Sequence, residues 1–284
     1  MEPHMLNGVS FNDTVNLRNE TPSTMHLDRV ISVLEAVAVA GRAISAVEIH
    51  RVTNLPKPTC YRLLQSLNQH GLLDQAEQDG RYVVGKRFMR IALMGQSDAD
   101  IRLATVPILK DAAIEMGEAF FLSRFRNDGV EIIHVETPED PKVSFIHPGF
   151  GFRPMNACSC SKVIAAFSES AFQEKVFQMP MKAYTDSTKT KEPALREEFE
   201  RIRQQGFAEC VEEVELGISS VAAPVLLDGV SASFSIGATG SIHNFTPTRR
   251  QEVGEALQHY ASKIGTMLSA TYLHGKQIDK QANR

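Results

Sequence analysis

Apolar and polar positions alternate with a helical period at the start of the chain. Leu27, Val30, Ile31, Leu34 and Val37 recur at i, i+3, i+4, i+7 and i+10, and Gly41 ends the helix they predict. Ser45 and Glu48 form a capping-box pattern opening a short second helix over residues 46–52, with Val47, Ile49 and Val52 as its apolar contacts. Asn54 marks a sharp turn, since asparagine tolerates positive φ better than most residues. Pro56 and Pro58 fall in the first turn of a third helix, where no intrahelical donor is lost. Leu63, Leu64 and Leu67 make its buried side, Cys60 joins the core, and Gly71 stops it. Asp79-Gly80 then signals a two-residue hairpin with residues 81–84 as its return strand. Three helices followed by a hairpin is the order of a winged helix-turn-helix, which lays its third helix in a DNA major groove.

The free face of that third helix carries the chemistry such a task needs. Lys57 and Arg62, with Arg81 on the wing, suit phosphate contacts, while Thr59, Tyr61, Arg62 and Gln65 suit base edges. Residues 27–90 hold nine Lys/Arg against six Asp/Glu, whereas the whole chain carries a formal charge of −4. The cationic excess is therefore confined to one end, as a module that neutralises phosphates requires. The competing reading is a three-helix core that binds another protein.

Beyond residue 86 the pattern changes to helices mixed with strands. Residues 86–94, with Phe88, Ile91 and Leu93 between basic residues, predict an amphipathic linker helix that pairs with a second copy of itself. Residues 97–100 read as a polar break, and 102–116 as a helix with Val106, Leu109 and Ala113 on its stripe. Residues 119–125 and 130–137 read as strands around Asn127-Asp128-Gly129, and 143–146 as a third. A charged helix over 192–205 stops at Gly206, and strands 221–227 and 231–238 flank Asp228-Gly229. Thr246-Pro247 opens a last helix packed through Val253, Leu257, Ile264 and Leu268. The whole is an α+β chain with five parts: a disordered tail (1–26), a winged helix-turn-helix (27–86), a linker helix (87–100), a second domain (101–273) and a C-terminal tail (274–284).

Composition adds little beyond exclusions. At 284 residues, 43% hydrophobic and 23% charged, the chain has room for two domains and has no apolar run of membrane-spanning length. Four cysteines at non-framework spacings predict reduced thiols and a cytoplasmic home. The chain has no G-x-S-x-G elbow, phosphate-binding loop, HExxH or dinucleotide fingerprint, and its nine histidines are scattered. We therefore expect neither catalysis nor a cofactor. The Glu212-Glu213-Glu215 run reads as a solvated loop face.

Several strings together resemble the IclR family of bacterial transcriptional regulators. They are LPKPTCYRLL and RYVVGKRF in the first half, then RPMNACSCSKVIAAF (153–167), GFAECVEEVELGISSVAAPV (206–225) and SFSIGATG (233–240). The resemblance runs from Leu27 to about Leu273 and implies a winged helix-turn-helix, a linker helix and a GAF-like effector-binding domain. It also implies a double-stranded operator and a small organic acid effector as partners. The assembly it implies is a homodimer or a dimer of dimers, with no membrane. Where the family usually has His or Tyr, and then Gly, this chain has Asn156 and Ser161, and Cys210 stands where an acidic residue is common.

The run 156–161 lies where a helix begins, and free N–H groups at such an end favour an anion. The resemblance carries effector contacts onto Ser159, Cys160, Cys210, Ser220, Ser235 and Gly237. Each could equally be a cap or a small core residue. A second reading takes Cys158, Cys160 and Cys210, with His147 close in sequence, as a thiol or soft-metal sensor. Residues two apart at a helix start do not easily face inward together, so no metal is assigned.

Overall fold

The computed structural model describes residues 22–76, 80–126, 129–139, 146–227 and 232–274, and the chain divides between Val84 and Gly85 into two compact units. Asp79, Asn127-Asp128 and Asp228-Gly229, expected as turns, lie outside the described residues, as do 1–21 and 275–284.

The first unit runs α1 (Pro22–Ala40), α2 (Ala46–Thr53), α3 (Lys57–Gln69), β1 (Leu73–Gln75) and β2 (Tyr82–Val84). Residues 22–26, expected in the tail, are helical. The buried side of α1 is Val33, Ala36 and Val37, while Leu27 and Ile31 are exposed. Of the expected stripe, Val37 is buried and Val30 and Leu34 pack half-buried against the same core, and the buried face is turned toward Val33 and Ala36. Helix α2 buries only Ile49, leaving Val47 and Val52 in solvent; eight residues present too narrow a face for three contacts. Its capping box is complete. The Glu48 N–H reaches Ser45 Oγ at 3.3 Å, and the Ser45 N–H reaches Glu48 Oε2 at 2.9 Å. Hydrogen bonds, first from Arg42 and then from Ser45, hold the Glu48 carboxyl down to about 2. Asn54 adopts φ 53° in the turn into α3, whose core side is Cys60, Leu63, Leu64 and Leu67. Tyr82 exchanges both backbone hydrogen bonds with Ile44 (2.9 and 2.8 Å), which ties the wing to the α1–α2 turn.

The second unit opens with α4 (Lys86–Met94) and α5 (Asp98–Met116). Ser97 caps α5 through the Asp100 N–H, so the expected polar break is the helix's first turn. Ile101, Thr105, Leu109, Ala112 and Ala113 face inward there, and Val106 is only half-buried. Then follow β3 (Ala119–Arg126), β4 (Gly129–Glu136), β5 (Gly151–Arg153), α6 (Ser159–Ala166), α7 (Ser170–Gln178), α8 (Glu192–Gln205), β6 (Ala208–Val211), β7 (Ile218–Leu226), β8 (Ala232–Ser241) and α9 (Pro247–His274). Of the strand expected over 143–146, only Ile146 is described, and it is not in a strand. Strands β5 and β6 and helix α7 were not anticipated.

Among the described residues the strands form one antiparallel sheet in the order β5-β4-β3-β8-β7-β6. Period-two alternation sends Phe120, Leu122, Phe234 and Ile236 to the face covered by α5 and α9. Phe121, Val130, Ile132 and Ala222 go to the other face, under α6, with α7 and α8 outside it. The sheet therefore lies between two helical layers.

The inner helix α6 is fixed by charge as well as by packing. Lys162 is wholly buried, and its Nζ lies 2.6 Å from both Glu198 Oε1 on α8 and Glu213 Oε1 on the loop after β6. Lys189 Nζ adds a second cation, 2.8 Å from Glu198 Oε2 and 3.4 Å from Glu213. Two lysines thus answer two carboxylates, with Arg201 Nη2 3.6 Å from Glu198 Oε1 at the exposed edge. Burial disfavours the charge on each, yet the carboxylates outweigh it at Lys162, whose pKa is raised, and the lysines outweigh it at Glu198, whose pKa is lowered. At Glu213 burial wins and the pKa is raised. The expected solvated face is therefore corrected: Glu213 is buried, and Glu212 accepts the Gly217 N–H at 2.8 Å.

Removing the central cation should leave two buried carboxylates facing each other. Lys162→Met is expected to lower stability by about 3–5 kcal/mol in urea unfolding, with partial recovery when Glu198→Gln and Glu213→Gln are added. A loss of less than about 1 kcal/mol would show that the cluster is not holding α6.

Candidate functional site

Two places concentrate unused polar chemistry, one in each unit. In the first, Lys57, Tyr61, Arg62 and Gln65 are all exposed along α3, and Thr59 is half-buried beside them. Positions 57, 61 and 65 repeat every fourth residue and share one face, with Arg62 next to it. Pro56 caps α3 and Pro58 sits in its first turn, so the end bearing Lys57 is stiff. The ring of His50 (Nδ1) meets Leu55 O at 2.6 Å and holds the preceding turn. Arg81 is exposed one residue before β2, where its carbonyl accepts the Ala76 N–H at 2.8 Å.

In the second unit a cavity of about 100 Å³ opens between the α6 side of the sheet and the loops around it. Phe121, Ile132, Ser220 and Thr239 form its sheet wall, Cys158 and Cys210 its sides, and Arg153 lies across from them. His147 and Glu215 reach it from the two loops. Of the effector contacts expected from sequence, Cys210 and Ser220 line the cavity. Ser159, Cys160, Ser235 and Gly237 do not. Ser159 is fully buried and its Oγ lies 2.8 Å from Ser220 Oγ, so it orients a lining residue. Ser235 is buried with no partner for its hydroxyl. Gly237 faces Phe121 across β3–β8, and a Cβ there would come within 2.2 Å of the ring. Glycine at 237 therefore lets Phe121 lie flat as a cavity wall.

Two departures from the family strings turn out to be architectural. Asn156 Nδ2 donates to Lys182 O (3.2 Å) and Lys189 O (2.8 Å), and Ser161 Oγ donates to Arg153 O (3.3 Å). The first ties down the segment that brings Lys189 to the buried cluster, and the second steadies the backbone of β5.

Sequence reasoning missed Arg153. Its Nη2 donates to Pro148 O, its Nε is buried without a hydrogen-bond partner, and among the described residues no carboxylate pairs with it. A guanidinium in that condition has hydrogen-bonding capacity left for a ligand. The signal was present, since Arg153 opens the string that runs into α6. The other missed feature is the contact between the thiols. Cys158 precedes α6 in extended conformation (φ −82°, ψ 138°), which swings its side chain back until Sγ lies 3.4 Å from Cys160 Sγ. Contrary to the expectation from their spacing, the two thiols do meet, because Cys158 stands in extended backbone just outside the helix. Among the described residues there is no group of three or more His, Cys, Asp or Glu placed to hold a metal, and no helix long and apolar enough to cross a membrane.

Comparison with known proteins agrees with both halves. Residues 26–77 match the IclR helix-turn-helix domain, and residues 95–266, more than half the chain, match the C-terminal domain of bacterial transcriptional regulator IclR. The glycerol operon regulatory protein of Streptomyces coelicolor is 27% identical over 76% of this chain and 84% of its own length. The transcriptional repressor IclR of Escherichia coli is 23% identical over 86% and 90%. Among solved structures, an IclR homolog from Microbacterium hydrocarbonoxydans complexed with 4-hydroxybenzoate shares the fold, with a TM-score of 0.55, 24% identity and coverage of 86% and 99%. The chain belongs to the IclR family of bacterial transcriptional regulators.

Proposed function

We propose that this regulator grips its operator through α3 and the wing, and that a compact carboxylate bound on Arg153 changes that grip. The observation that carries the effector half is Arg153, which lines a cavity and whose buried Nε has no hydrogen-bond partner. A guanidinium there binds a carboxylate through paired, charge-assisted hydrogen bonds. Ser220, oriented by Ser159, supplies a hydroxyl on the opposite wall. Cys158, Cys210, Phe121 and Ile132 add the apolar part of the lining, and Thr239, His147 and Glu215 further polar groups. Size narrows the ligand. The cavity holds about 100 Å³, less than the roughly 150 Å³ that admits benzene. A short aliphatic acid fits better than an aromatic one such as the 4-hydroxybenzoate of the Microbacterium homolog.

Coupling to DNA follows strand β3. Phe121 lines the cavity, and three residues on, buried Arg124 grips the joint between α4 and α5. It donates to Met94 O (2.5 Å) and Gln96 O (2.9 Å) and pairs with Asp98 at 2.7 Å. Helix α4 is the segment by which the second unit continues from the wing, so a shift of β3 on ligand binding reaches the DNA-reading unit through this grip. Phe88, Ile91 and Met94 are exposed along α4, an apolar edge that supports pairing with a second copy. A dimer, or a pair of dimers, then presents α3 helices to successive major grooves.

Four outcomes test this reading. Arg62→Ala should weaken binding to the protein's own promoter fragment by about 1–3 kcal/mol, roughly 5- to 150-fold, without lowering the melting temperature; unchanged affinity would remove α3 from the interface. Propionate or lactate at a hundred times its Kd should stabilise the wild type by about 2.7 kcal/mol, with benzoate and 4-hydroxybenzoate weaker. Arg153→Met should abolish that shift; if it persists, the acid binds elsewhere. Arg124→Lys keeps the charge but loses the fork, so the acid should still bind while operator affinity stops responding. A full response in that variant would place the coupling route outside β3.

A further inference from the structure

The cavity contains chemistry that binding a carboxylate does not use. Cys158 lines it, Cys160 lies directly behind with its Sγ 3.4 Å away, and both thiols are free. We propose that Cys158 and Cys160 form an oxidisable dithiol, through which a hydroperoxide entering the cavity converts the regulator to a second, disulfide-locked state.

Three features of the site support this. The sulfurs are already in contact at 3.4 Å, within about 1.4 Å of a disulfide bond length. The pair can share one proton: the contact with Cys160 and burial push the Cys158 thiol up, while the Cys160 thiol, despite its burial, is lowered by the hydrogen bond from Cys158, so the charge rests on Cys160. Access is one-sided, because Cys158 faces the cavity while Cys160 is fully buried. Cys210 lines the same cavity, but burial, the largest influence on it, pushes its thiol up to about 12, so it stays protonated. Cys60 is packed in the core of the first unit.

The chemistry balances with the peroxide as the only oxidant. Transfer of the shared proton from Cys158 to Cys160 across the 3.4 Å contact gives a Cys158 thiolate on the cavity side, which attacks the terminal oxygen of ROOH, and the O–O bond breaks. The departing RO⁻ takes a proton from solvent and leaves Cys158–SOH. Cys160 Sγ then attacks Cys158 Sγ, the S–O bond breaks, and the hydroxide leaves as water with the Cys160 proton. Two thiols have lost two electrons, and the peroxide has become ROH and water. The disulfide draws the Cys158 sulfur away from the cavity wall at the start of α6. The thiol chemistry stands independently of the effector reading; only its consequence for operator binding rests on that reading.

The test treats the full-length protein with hydrogen peroxide, alkylates it with N-ethylmaleimide under denaturing conditions, and maps the cysteines by mass spectrometry. We expect loss of labelling at Cys158 and Cys160 together, a 2-dalton decrease in intact mass, and continued labelling of Cys60 and Cys210. Oxidation of the pair should run at least tenfold faster than that of Cys60. Cys160→Ser should stop at a sulfenic acid on Cys158, trapped by dimedone. Oxidised protein should differ at least fivefold from reduced protein in affinity for its promoter fragment, and dithiothreitol should reverse the difference. Full labelling of both residues after peroxide, first reaction at Cys60 or Cys210, or a Cys158–Cys210 link would overturn the dithiol. A clean Cys158–Cys160 disulfide with unchanged operator affinity would overturn the switch. Because the wild type supplies the decisive map, misfolding of a variant does not blunt the test, and the acid thermal shifts judge the effector reading separately.

Discussion

Lys162 carries a charge where no water reaches it, and the way that charge is answered positions most of the second unit's functional parts. Its ammonium group draws Glu198 from α8 and Glu213 from the loop after β6 onto the inner helix α6, and Lys189 completes the balance. Lys162, Glu198 and Glu213 are buried while Lys189 keeps part of its side chain in solvent; desolvating three charges is expensive, and the cost is offset only while the cluster stays together. That requirement fixes where α6 begins and where the rim loop lies. Glu215 and Val214, on that loop, border the cavity; Cys158, at the start of α6, forms another side. Thr185 and Thr188 donate to the backbone carbonyls of Glu212 (2.5 Å) and Glu213 (2.6 Å), so the loop is held from both sides. The cavity's shape is thus a consequence of a charge cluster that does not itself line it.

Strand β3 divides its labour by the two-residue period of a sheet. Phe121 and Ser123 point toward α6, and Leu122 and Arg124 point toward α5 and α9. One strand therefore touches the cavity with one face and the α4–α5 joint with the other. Arg124 also lies over the Phe234 ring at 5.5 Å, which keeps its fork oriented toward Met94 and Gln96. Burial works against the Asp98 charge, but hydrogen bonds from Arg124 and then Arg126 overcome it and hold that carboxyl below the usual range. The joint therefore stays ion-paired until the pH falls through that lowered value, and ordinary physiological acidity leaves the grip intact.

Much of this was legible before any coordinates. The capping box at Ser45 and Glu48, the proline-led α3 with its leucine side, the span of α8 and the Val253–Leu268 stripe of α9 all follow from local rules of capping and period. Reading failed where tertiary context decides. Strands of three or four residues such as β5 and β6 are too short to show alternation, and α7 lacks a capping side chain. Lys162 and Glu213 resemble surface charges until the partners that permit their burial are seen. Arg153 and the Cys158–Cys160 contact depend on the conformation of a few loop residues, for which no periodicity exists. On α1, Leu27 and Ile31 misled because an apolar residue need not be buried.

The central claim is that one cavity and one DNA-reading surface are energetically linked, and linkage has a property that independent binding lacks. For the acid giving the largest thermal shift, its Kd should be measured by calorimetry on the free protein and on the protein saturated with its promoter fragment. The account predicts that the two constants differ, and by the same factor by which the acid changes the Kd for DNA. Equal affinity of the acid for free and DNA-bound protein would contradict it.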